Sequence, residues 1–112
     1  MKYEITQKGK YEIITVAGDI ENDLEAQGLI KELTELLKKG KKHFCFNLES
    51  ATYLNSSGIS IFIHTLAGIS EKKGSVFMVV KESEVRNVIE LAGLDKLIQT
   101  YSNLEAFERE NI

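Results

Sequence analysis

Polar and apolar positions alternate or cluster in two short runs at the start of the chain, residues 2–6 and 11–17, both rich in β-branched and aromatic side chains. Gln7-Lys8-Gly9-Lys10 separates them with turn chemistry, so the pair is expected as a β-hairpin, with Gly18 ending its second strand. From Asn22 the period changes. Leu24, Leu29, Ile30, Leu33, Leu36 and Leu37 recur at helical spacing, with Asn22 or Asp23 as the cap and Gly40 as the stop. Residues 43–48 form an apolar run suited to a buried strand, and 49–55 are expected as loop. A second helix is expected from Ser56 to about Lys73. Its apolar residues Ile59, Ile61, Phe62, Ile63, Leu66, Ala67 and Ile69 cover so much of the circumference that it must be deeply packed. A strand at 76–80, a helix capped by Ser83 and ending near Gly93, a strand at 97–101 and a helix at 102–109 complete the order.

This β-β-α-β-α-β-α-β-α succession predicts an α/β fold. Its sheet is mixed, with four to five strands, an N-terminal antiparallel hairpin and about four helices. The later strands, joined by helical crossovers, should run parallel. At 112 residues, a single domain spanning 1–112 is expected, large enough to bury a core without disulfides or metal. A net charge of −3 offers no basic field for nucleic acid or anionic lipid. The charged opening Met1-Lys2-Tyr3-Glu4, with no apolar stretch behind it, predicts neither signal peptide nor membrane insertion, and hence a cytoplasmic protein.

Catalytic chemistry finds little support. Neither a G-x-x-x-x-G-K-[ST] loop nor G-x-G-x-x-G occurs, and the two histidines, His43 and His64, do not form a metal-spaced pair. No base stands beside Ser56 in sequence, so no catalytic residue, metal or cofactor is assigned. Cys45 alternates with Phe44 and Phe46 and is expected in the core, and His64 as a packing or surface residue of its helix. The run Lys38-Lys39-Gly40-Lys41-Lys42 suits the negative end of a helix dipole.

One stretch remains, Tyr53-Leu54-Asn55-Ser56-Ser57-Gly58-Ile59, which puts two hydroxyls at an expected helix start. Two roles are open for Ser56: a helix N-cap, or a modifiable hydroxyl where unpaired N–H groups tolerate a phosphate. Gly58 would let another backbone approach closely.

The segment resembles the D-S-[ST]-G-[LI] signature of the anti-sigma-factor antagonist branch of STAS domains. Gly18-Asp19-Ile20-Glu21 is similar to that family's glycine–acidic–aliphatic–acidic turn, Phe46-Asn47-Leu48 to its third strand, and Leu91-Ala92-Gly93-Leu94 to its C-terminal element. The resemblance implies a STAS fold and a non-enzymatic partner switch. The unphosphorylated antagonist binds an anti-sigma factor that is also a serine kinase, phosphorylation releases it, and a PP2C-type phosphatase resets it. By position, Ser56 is the implied phospho-acceptor and Ser57 the adjacent alternative. Asp19, Glu21, Asn55, Ser56, Ser57 and Gly58 are the implied partner-binding residues. The chain departs at Asn55, where the signature has aspartate. Competing expectations are control of a non-transcriptional process such as biofilm formation, or a STAS-like accessory subunit of a lipid transporter.

Overall fold

The computed structural model describes residues 1–112. The elements, in order, are β1 (Lys2–Lys8), β2 (Tyr11–Ile20), α1 (Leu24–Lys38), β3 (His43–Asn47), β4 (Ala51–Leu54), α2 (Ser60–Ile69), β5 (Ser75–Val79), α3 (Glu84–Leu91), a 3-10 turn (Leu94–Lys96), β6 (Gln99–Tyr101) and α4 (Leu104–Asn111). Five strands lie in the order β1-β2-β3-β5-β6, and β4 pairs separately with β2. The hairpin β1–β2 is antiparallel, with Ile5 opposite Ile14. The other pairings are parallel. The mixed sheet with its N-terminal hairpin and four helices is the expected architecture.

Strand periodicity sorts the core into two layers. On β3, Phe44 and Phe46 face α1, α2 and α3, where they meet Leu29, Leu33, Phe62 and Ile89, all fully buried. Each such side chain contributes about 1.5–3 kcal/mol by leaving water. Cys45, between the two phenylalanines, points to the opposite face with Tyr11, Ile13, Val79 and Phe107 of α4. Burial there pushes its thiol up to about 12. Phe107 packs edge-on to Tyr11, with ring centroids 5.1 Å apart.

The ends of α1 follow from local chemistry. Asp23 caps it by accepting the Ala26 amide at 2.8 Å, and Gly40, at φ +89°, lets the Lys41 amide fold back onto the Leu36 carbonyl.

Three expectations are corrected. Residues 51–54, expected as loop, form β4. Gly18 does not end β2. Its φ of +84° bends the strand at a register shift, so that β2 leaves β3 after Thr15 and continues to Ile20 along β4. The second helix is shorter than its apolar pattern, starting at Ser60 rather than Ser56 and ending at Ile69 rather than Lys73. At its far end Lys73 takes a positive φ, and Gly74 lies where a Cβ would come within 2.1 Å of the Lys42 carbonyl oxygen.

Candidate functional site

The bent end of β2, the short β4 and the turn before α2 bring the residues singled out in the sequence to one edge of the molecule. The bend carries Asp19 and Glu21 past β3. Tyr53 of β4 lies in register with Asp19, and the Thr52 hydroxyl donates to the Asp19 carboxylate at 3.0 Å. The Asn55 backbone amide then donates to the Ile20 carbonyl at 3.3 Å. Strand pairing therefore sets the position of the turn that follows.

Asn55 organises that turn. Its Oδ1 accepts the Gly58 amide at 3.0 Å and the Ser57 hydroxyl at 2.6 Å. Its Nδ2 donates to Glu21 Oε1 at 3.3 Å. The Ser57 hydroxyl also accepts the Asn22 backbone amide at 3.1 Å, while its carbonyl accepts the Ser60 hydroxyl at 2.8 Å. Gly58 is buried against the end of β2, where a Cβ would stand 2.3 Å from the Ile20 carbonyl oxygen. The space expected at this glycine for a close backbone approach is filled by Ile20, and Gly58 fixes the turn rather than forming exposed surface.

The two serines separate sharply. Ser57 is held by hydrogen bonds to two segments. Ser56 is exposed, and its hydroxyl has no hydrogen-bond partner in the chain. Ser56 is not the helix cap, which corrects one of the two roles left open by the sequence. Ile59 occupies the cap position of α2 without a side-chain bond, and Asn55 supplies the capping oxygen to the preceding turn.

The surroundings are acidic. Asp19 and Glu21 are exposed, and Asp23 lies at the start of α1. Asp23 is held below the usual carboxylate range, first by the Ala26 amide and then by the amino terminus, 3.6 Å away. Both histidines are engaged away from this edge. His64 Nε2 lies 2.9 Å from the Thr34 hydroxyl of α1, so this residue packs between helices as expected. His43 Nδ1 lies 2.8 Å from the Ser75 hydroxyl. Neither is placed to take a proton from Ser56. No helix is long and apolar enough to cross a membrane.

Sequence reasoning overlooked Thr52, which orients Asp19, and the Asn22 backbone amide, which holds Ser57. The only available signal was the β-prone pair Thr52-Tyr53, too short to stand out as a strand.

A family model described as "STAS domain" matches residues 3–107. The anti-sigma-B factor antagonist of Staphylococcus aureus is 23% identical over 106 residues, 94% of this chain and 96% of that protein. Among solved structures, the anti-sigma factor antagonist SpoIIAA in its unphosphorylated form superposes with a TM-score of 0.79 at 13% identity, covering 99% of this chain and 100% of SpoIIAA. The phosphorylated form of the Bacillus protein gives 0.78 at 14% identity, with 98% and 100% covered. A putative anti-sigma factor antagonist from Thermotoga maritima gives 0.85 at 19% identity, with 96% and 92% covered.

Proposed function

The chain belongs to the STAS domain family, and from that premise we propose that it is an anti-sigma-factor antagonist working as a phosphorylation-controlled partner switch. In its unphosphorylated form it binds an anti-sigma factor with serine kinase activity through the edge formed by Asp19, Glu21 and the Asn55–Gly58 turn. The kinase transfers the γ-phosphoryl group of ATP to Ser56. A bond forms from Ser56 Oγ to phosphorus, the bond from phosphorus to the ADP oxygen breaks, and a kinase base takes the hydroxyl proton. A PP2C-type phosphatase removes the phosphate. The chain acts in the cytoplasm as one STAS domain, supplies no catalytic group and needs no cofactor.

The observation that carries this reading is the contrast between the two serine hydroxyls. Ser56 is exposed and unengaged, so modifying it breaks no bond within the chain. The Ser57 hydroxyl is tied at 2.6 Å and 3.1 Å, and modifying it would dismantle the turn. A phosphate brings about −1.5 to −2 charges and a strong hydration shell. Beside Asp19 and Glu21 it meets like charge, and burying it against an interface without a cation is costly. Release of the partner then follows from lost complementarity, with the fold unchanged. The test is the mass and phosphosite map of the protein after incubation with its cognate kinase and ATP. Phosphate on Ser56 is the expected result, and phosphate on Ser57 overturns the assignment.

A further inference from the structure

The two ends of the Asn55 amide face different groups. One end meets the backbone amide of Gly58 at 3.0 Å, and a backbone N–H can only donate, so that end is the oxygen. The nitrogen must then face Glu21, whose Oε1 lies 3.3 Å away. The bonds run as a chain. The Asn22 amide donates to Ser57 Oγ, the Ser57 hydroxyl donates to Asn55 Oδ1, and Asn55 Nδ2 donates to Glu21, the residue next to Asn22. The turn that carries Ser56 is thereby closed onto the segment between β2 and α1.

We propose that Asn55 and Glu21 are a charge-matched positioning pair, in which the neutral amide at position 55 lets the Glu21 carboxylate close over the Ser56 turn and sets the charge that a partner meets there. An aspartate at position 55 keeps an oxygen for Gly58 and Ser57 but turns a second oxygen toward Glu21. A donor–acceptor contact becomes a contact between like charges. The asparagine thus has two effects. It closes the turn, and it makes the rim around Ser56 less acidic by one charge than the D-S-[ST]-G pattern. Charge at an interface rim governs which partner associates and how fast. Asn55 and Glu21 are therefore specificity-determining residues of the switch, and in this consequence the inference rests on Ser56 being the switch.

The test needs no partner. Hydrogen exchange of the Asn22 amide reports closure of the turn, because that amide donates to Ser57. Asn55→Asp should lower its protection about two- to fivefold at low ionic strength, the scale of an exposed charge contact. The loss should shrink in 0.5 M salt, which screens exposed charges. Adding Glu21→Gln should restore protection at low salt, because an amide at position 21 can donate to the new carboxylate. Ser57→Ala serves as a control that loses the same protection regardless of salt. Unchanged protection in Asn55→Asp, or a loss that neither salt nor Glu21→Gln repairs, overturns the pairing and leaves Asn55 as a turn cap alone. This outcome is separable from failure of the switch itself, which phosphosite mapping decides without reference to Glu21.

Discussion

The Ser57 hydroxyl accepts the backbone amide of Asn22 across 3.1 Å, joining the turn before α2 to the segment between β2 and α1. Of two adjacent serines, one is therefore built into the scaffold and the other is presented from it. The consequences of substitution at the two positions should differ accordingly.

Ser56→Ala should fold with stability within about 0.5 kcal/mol of wild type, as for an exposed residue with no partner. It should bind the kinase partner and take no phosphate. Ser56→Asp and Ser56→Glu should fold equally well and bind more weakly. Denaturant unfolding, binding measurements and phosphosite mapping on each variant check this. Phosphorylation persisting in Ser56→Ala would show that the acceptor lies elsewhere.

Ser57→Ala should cost about 0.5–1.5 kcal/mol for each net hydrogen bond lost, partly relieved because this exposed site admits water. Its midpoint in urea should fall while Ser56 remains available to a kinase, although less well positioned. A Ser57→Ala variant as stable as wild type would show that the bonds to Asn22 and Asn55 carry no weight.

Gly58→Ala should be the most damaging small change at the site. Its new Cβ would stand 2.3 Å from a backbone carbonyl oxygen of Ile20, which no rotamer change can relieve. Overpacking of this kind costs about 1–3 kcal/mol. Urea unfolding should show lost stability, and amide spectra should show shifts concentrated at Ile20 and residues 55–58. A neutral substitution would mean that the turn yields freely.

At high pH the hairpin should weaken through Tyr3. Its phenol donates to the Glu32 carboxylate of α1. That bond, then burial, then the charges of Glu32 and Glu25 raise its pKa from 10.0 to about 12. The folded value lies above the unfolded one. The contribution to stability is therefore complete below pH 10 and lost as pH rises toward 12. Absorbance near 295 nm should reveal late-ionising tyrosine from Tyr3 and from Tyr101, which burial and its bond to Glu110 also raise. Tyr3→Phe should remove the Tyr3 part together with its share of the alkaline loss of stability.

Much of the fold was legible because it rests on local periodicity. The helical spacing from Leu29 to Leu37 and the alternation Phe44-Cys45-Phe46 each name a buried face without reference to any distant residue. The cap at Asp23 and the stop at Gly40 were equally local. The candidate site was legible as a set of residues, through the resemblance of Asn55-Ser56-Ser57-Gly58 and of Gly18-Asp19-Ile20-Glu21 to family patterns, and the structure brings the two stretches together.

Sequence alone settled which residues are apolar on which period, and so the number and order of most elements. Tertiary structure decided what those patterns leave open. Residues 51–54 are too few to signal a strand by themselves, and they become one because Gly18 bends β2 away from β3 and leaves its edge free to pair. The apolar pattern around Ser56 runs on into a helix, yet the helix starts at Ser60 because Asn55 and the close approach of Gly58 to Ile20 hold the chain in a turn. Two adjacent serines read alike in the sequence. The difference comes from the folded turn, in which Asn55 Oδ1 accepts the Ser57 hydroxyl and a backbone amide 35 residues away in sequence donates to it, while the Ser56 hydroxyl meets neither.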